Sequence, residues 1–246
     1  MSKITFYRGD GSVAMAGHLL LAYLGAPYDS VHMAANTGGY EAVDGSLPHQ
    51  EYRKINPTGL VPALRIEEEG RSTIITEVPA VITYLASLAD TVPQATPSSG
   101  PGPNSLLGRN AVERAKVYEW MAWLAGTVHG IGLVEIWRPY RLVAEGEAAA
   151  AAALKKRGME ILNEGYARIE QRIREGDLGI GGGKDGYFTA VDFNLYVFWR
   201  IGALMLKVVS EESHPHYAGL MRKVEALEST RKVLEVEGNG ALAFKE

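Results

Sequence analysis

Cysteine is missing from all 246 residues. Its absence excludes a disulfide scaffold, a cysteine-ligated zinc or iron–sulfur site, and a protein thiol as nucleophile. Any thiol chemistry must arrive with a ligand. A basic excess is missing as well: 25 Lys and Arg stand against 29 Asp and Glu, a net charge of −4. The electrostatic footprint of a nucleic-acid binder is therefore not present. Long apolar runs are also lacking. The longest, Phe193 to Val209, is broken by Arg200 and Lys207, which argues against a span of about 20 apolar residues. Met1-Ser2-Lys3-Ile4-Thr5-Phe6 carries no signal-peptide apolar core. The expectation is a cytoplasmic protein with no nucleic-acid partner and no membrane.

What remains is an ordinary globular composition, 46% hydrophobic and 22% charged. A chain of this length buries roughly 70–75% of its unfolded surface and needs no covalent staple. The first ninety residues mix strand and helix signals. Lys3–Arg8 alternates as a strand. Ser12–Leu24 reads as a helix with Val13, Gly17, Leu20 and Leu24 on one face, Ser12 as its N-cap and Gly25 as its stop. Tyr28–Met33 reads as a second strand, and residues 34–50 as a polar loop followed by a short helix. Val61–Ile66 and Ser72–Thr76 form a hairpin, and Glu77–Leu88 a helix. Residues 91–105, rich in Pro, Gly and Ser, read as a linker. Beyond it nearly everything is helical: Leu106–Val128, Glu145–Glu175, Thr189–Leu206 and His214–Leu234. Thr189 and Asp192 form a capping box ahead of the most apolar of these. The domains are thus residues 1–90, the linker 91–105, and an all-helical domain 106–246.

Four stretches in register carry a resemblance. They are Tyr7-Arg8-Gly9-Asp10-Gly11-Ser12, then Asn56-Pro57-Thr58-Gly59-Leu60-Val61-Pro62-Ala63-Leu64, then Ile75-Thr76-Glu77-Val78-Pro79-Ala80-Val81, and finally Phe188-Thr189-Ala190-Val191-Asp192-Phe193. Together they resemble the glutathione S-transferase family, most closely its bacterial and fungal members. The resemblance implies a thioredoxin-like α/β domain followed by an all-α domain, usually as a homodimer.

It also implies a site. Val61, before a cis Pro62, pairs through its backbone with the cysteinyl part of glutathione. Glu77 and Val78 take the γ-glutamyl end, although Val78 replaces the family's serine and with it a hydroxyl contact. His49, Gln50 and Lys54 are candidates for the glycine carboxylate. Ser12 at the start of the first helix is the candidate for holding the glutathione sulfur as thiolate, and Tyr7 is the second hydroxyl on offer. Gly11 stands where cysteine-type members have their Cys. Between the domains a hydrophobic electrophilic small molecule is implied, with Asp10, Trp123, His129, Trp137 and Tyr140 as candidate pocket residues. Most of these aromatics read equally well as packing between helices. Two enzymatic outcomes share the thiolate, a transferase and a cis/trans isomerase that uses glutathione as cofactor. A binding module without chemistry is the rival, kept open by Gly11, Leu60 and Val78. Gly181, Gly183 and Gly186 fit G-x-G-x-x-G but follow no strand. No metal site is read, since His214 and His216 lack further ligands at metal spacing.

Overall fold

The computed structural model describes residues 3–36, 39–90, 106–182, 187–237 and 241–244. The 91–105 linker and the stretch Gly183-Lys184-Asp185-Gly186 lie outside them. The N-terminal half begins with strand β1 (Lys3–Arg8), helix α1 (Met15–Leu24), β2 (Asp29–Asn36), β3 (Gly39–Ala42) and helix α2 (His49–Ile55). It ends with β4 (Ala63–Glu68), β5 (Arg71–Thr76) and α3 (Val78–Ser87). The sheet order is β3-β2-β1-β4-β5, with β1 parallel to β2 and antiparallel to β4. The strand β3 was not expected. It is short, contains Gly39 and Tyr40 without apolar alternation, and exists by pairing antiparallel with the edge of β2.

Strand β1 sorts its side chains by the period of two that a pleated strand imposes. Ile4 and Phe6 enter the main core. Tyr7 enters a small second core on the opposite face, with Met33, Ala42, Tyr52 and Ala63.

Helix α1 departs from the one-faced reading. Met15, Ala16, Gly17, His18, Leu19, Leu20, Leu21 and Leu24 are all buried. A helix that is apolar all round is a buried one. On one side it lies so close to the sheet and α3 that a Cβ at Gly17 would meet Phe6 Cζ at 3.1 Å and Val81 Cγ1 at 3.2 Å. On the other sides it packs against α7 and α9 of the helical half. Its one polar core residue, His18, bonds Tyr28 Oη at 2.6 Å and Glu237 Oε1 at 2.5 Å.

The helical half consists of α4 (Ala111–Trp123), α5 (Val134–Trp137), α6 (Ala148–Arg174), α7 (Ala190–Arg200), α8 (Pro215–Glu225) and α9 (Glu228–Glu237). Asn110 caps α4, accepting from the amides of Val112 and Glu113 at 3.0 Å each. The helix runs on through a wide π-helical segment, Leu124–Leu133, into α5. The chain is therefore helical well past the expected end at Val128. Among the described residues no helix is long and apolar enough to cross a membrane.

The capping box at α7 reaches beyond its own helix. Asp192, fully buried, accepts from the Thr189 amide at 2.6 Å and from the Gly181 amide at 3.0 Å. Thr189 Oγ1 donates to the Gly179 carbonyl at 2.9 Å. Asp192→Ala strands several buried donors, each costing about 1–3 kcal/mol. Urea unfolding of that variant is expected to show a loss of at least about 3 kcal/mol, the sum of two or three such donors. A loss below about 1 kcal/mol, less than one stranded donor costs, would mean that water replaces the carboxylate.

Candidate functional site

Two adjoining cavities open between the halves and share Val13, Leu60, Val61 and His129. The first, of about 610 Å³, reaches from Pro62, Glu77 and Val78 to Asn194 and Phe198 on α7. The second, of about 810 Å³, reaches from Asp10, Gly11 and Ser12 to Trp137 and Arg138.

The turn from β1 into α1 forms the shared floor. Gly11 has φ +67°, a left-handed conformation that an L side chain rarely adopts. That is a structural reason for glycine at this position. Ser12 lies three residues before the helix proper. Its Oγ donates to the Gly9 carbonyl at 2.7 Å and accepts from the Ala14 amide at 3.2 Å. A hydroxyl has one proton, and here Gly9 receives it. The Val13 amide has no hydrogen-bond acceptor among the described residues.

Val61 precedes β4, and its bond to Pro62 is cis. The pairing of β4 with β1 ends at Ala63 with Tyr7, and that with β5 at Ala63 with Thr76. The backbone at Val61 thus lies beyond both ladders, where a short extended peptide can add as a strand. Glu77 is the N-cap residue of α3, exposed, with φ +69° and ψ 127°. That conformation costs a non-glycine residue about 1–3 kcal/mol and is characteristic of ligand sites. Val78 and Pro79 follow as the first two helical residues, so the proline takes the second place and not the first.

The opposite wall comes from the helical half. Ala125, His129 and Leu133 recur every four residues of the π-helical segment and line the cleft along its length. Burial, and then the charge of Arg138, hold the His129 imidazole below its ordinary value of 6.5. Asn194, 2% exposed, has an Oδ1 with no hydrogen-bond partner among the described residues and lines the first cavity. Asp10 is tied to the buried Arg8 guanidinium and lies 3.3 Å from His32 Nε2. Arg8 in turn donates to Ser30 Oγ at 2.9 Å.

The cleft therefore gathers Asp10, Ser12, Val61, Pro62, Glu77, Val78, His129 and Trp137. Six other candidates lie elsewhere. Tyr7 is 3% exposed in the second core, and burial pushes its hydroxyl above the usual 10, so it is a poor donor to a thiolate. His49 faces away, its Nδ1 at 3.2 Å from the Tyr40 carbonyl and its Nε2 accepting from Arg53 at 3.0 Å. Gln50 is exposed on α2 and lines neither cavity. Lys54, also exposed, pairs with Glu51 at 2.7 Å. Trp123 stacks edge-on against Trp120 under Arg168. Tyr140 is 68% exposed and borders a separate surface depression. Asn194, Arg138 and the Val13 amide were not expected. Asn194 left one trace in the sequence, as a polar residue inside the apolar run of α7.

The folded protein resists protonation of His129, so its neutral form prevails near pH 7. The same depression removes stability as pH falls through about 6.5. Histidine ring signals followed by NMR, with His129→Gln for assignment, are expected to place its midpoint below 6.5. In Arg138→Gln that midpoint should rise. A wild-type midpoint at or above 6.5 would remove this picture of a dry, cationic wall.

Residues 12–88 match the family model of the glutathione S-transferase N-terminal domain. A glutathione S-transferase-like protein of Aspergillus aculeatus is 26% identical over 195 residues, which span 78% of this chain and 80% of that protein. Glutathione S-transferase GstA of Escherichia coli O157:H7 is 26% identical over 95% of this chain and 98% of its own. A solved glutathione transferase homologue from Sulfitobacter, with bound glutathione, has a TM-score of 0.73 at 23% identity, covering 98% of this chain and all of that one. Residues 12–88 are thus a glutathione S-transferase N-terminal domain, and the chain as a whole has the two-domain glutathione S-transferase fold.

Proposed function

We propose that the protein binds glutathione in the first cavity and presents its thiol, as thiolate, to an electrophile in the second. One juxtaposition carries the reading. The unladdered backbone at Val61, the strained Glu77 at the head of α3 and the turn at the start of α1 all face one cleft. That cleft continues into a second cavity walled by His129 and Trp137.

The donor set suits the tripeptide. The Val61 backbone pairs with the cysteinyl residue. The Glu77 carboxylate takes the γ-glutamyl ammonium, and the head of α3 its carboxylate. Asn194, whose amide oxygen has no partner among the described residues, closes the far wall. Glutathione supplies the sulfur nucleophile that this cysteine-free chain lacks. The chain's own part is to lower the cost of charge on that sulfur. The Val13 amide and the positive end of α1 favour the anion. Ser12 adds a donor when its hydroxyl turns from the Gly9 carbonyl. His129, kept neutral and sheltered, helps exclude water from the junction of the two cavities.

The hydrogen bond from Ser12 to Gly9 also favours a second reading. A serine that only braces the turn ahead of its helix would make the same bond, and the protein would then hold glutathione without activating it. Ultraviolet titration of bound glutathione separates the two. Activation is expected to lower the thiol pKa below the usual 8.5 or so. Ser12→Ala should raise it by about one to two units, the worth of one hydrogen bond to a charged group. A bound thiol that titrates as it does in free solution would leave the binding module as the function.

A further inference from the structure

One charge on the wall of the second cavity is neutralised by nothing among the described residues. Arg138 ends α5 with φ −133° and ψ 42°, just before Pro139, and lines this cavity. Its backbone amide bonds the Val134 carbonyl at 2.8 Å, but its guanidinium has no hydrogen bond, ion pair or ring contact among the described residues. It is half-buried. The other arginines that are sheltered from solvent all have partners. Arg8 has Asp10, Arg172 has Asp177, Arg200 has the Ala241 carbonyl, and Arg65 lies over the Tyr7 ring.

The neighbouring charges do not compensate it. Asp10, the acid of this cavity, is already held by Arg8 and His32. His129 is neutral at the same wall. Apart from Ser12, the side chains of the remaining lining are apolar or aromatic, with Trp137, Tyr40, Leu133 and Ile201 among them. A planar, five-donor guanidinium that lacks a partner in a partly dry pocket matches a carboxylate bidentately. The aromatic wall beside it matches a flat apolar body.

We infer that the electrophile taken by this site carries a carboxylate, paired with Arg138, on an apolar body that lies against Trp137. The inference rests on the thiol-transfer reading above and deepens it by naming the substrate class. Ser12 and Val13 border the same cavity as Arg138. An acid anchored at Arg138 can therefore reach back with its electrophilic carbon to the start of α1. The cleft is then polarised, with Glu77 set for a cation at one end and Arg138 for an anion at the other.

The test compares 4-chloro-3-nitrobenzoate with its methyl ester, each with glutathione. In both, a C–S bond forms, the C–Cl bond breaks, chloride leaves with the electron pair, and the thiol proton goes to solvent. The acid-to-ester ratio of kcat/KM is measured for wild type, Arg138→Gln and Arg138→Lys. Arg138→Gln is expected to lower that ratio about tenfold or more, the worth of a charge-assisted hydrogen bond. Arg138→Lys should fall between, since it keeps the charge and loses the fork. The loss should appear in the KM of the acid. Binding of unreactive 3-nitrobenzoate, followed by tryptophan fluorescence without glutathione, should weaken in step. An unchanged ratio would overturn the inference. So would a loss confined to the KM of glutathione, which would assign Arg138 to the glycine carboxylate. If neither electrophile reacts with any form, the binding measurement decides alone. Nitrobenzoate binding that depends on Arg138 would then keep the anion site and reject only the thiol-transfer reading; binding indifferent to Arg138 would reject the anion site.

Discussion

Burial of α1 on every side is the constraint from which the rest of the molecule follows. The helix belongs by topology to the sheet-bearing half, yet its outer flank is covered by α7 and α9. Removing so many leucine and methionine side chains from water stabilises both halves at once, at roughly 25 cal/mol per Å² of apolar surface. It also fixes the angle between them. Because Gly17 lets the helix settle against Phe6 and Val81, the start of α1 emerges beside the end of β1 and the cis Val61–Pro62 bond. The cleft is the gap left where the two halves part company above that helix.

The cleft inherits a division of labour from this geometry. The sheet-bearing half supplies backbone groups and the acid at the head of α3. These are fixed in direction by strand and helix ends, and suit a ligand that is always the same peptide. The helical half supplies side chains from the π-helical segment, α5 and α7, which vary more readily in kind. An imidazole held neutral, an unpaired guanidinium and an indole on that wall form a particular chemical preference, unlike the general apolar surface that the aromatic composition of the segment suggested.

How much of this was legible depends on how local the signal is. The Asn56–Leu64 stretch, the helix stop at Gly25 and the capping box at Thr189 are written within a few residues, and the fold followed from them. The strand β3 was not readable because pairing with β2 makes it, not its own pattern. The face on which Tyr7 lies was open because a single residue in a strand gives no side of the sheet. His49, Gln50 and Lys54 stand close in sequence to the site, but α2 turns them toward Tyr40, Glu51 and the solvent. Arg138 had no sequence signature. The role proposed for it comes from a guanidinium without a partner among the described residues, and that is a property of the folded arrangement alone. Asn194 lay between the two cases, a polar residue in an apolar run whose destination only the packing against α3 reveals.

The bond between His18 and Glu237 joins a residue of the first helix to one of the last described helix, 219 positions apart. During synthesis the sheet-bearing half leaves the ribosome long before α9 exists. Until then, the outer flank of α1 faces water with its leucines bare, and the His18 ring lacks one of its two partners. The helix whose start borders the candidate thiol site has its full set of neighbours only when α9 has docked. The order of translation thus places completion of the site at the end of assembly, although most of its residues are made at the beginning.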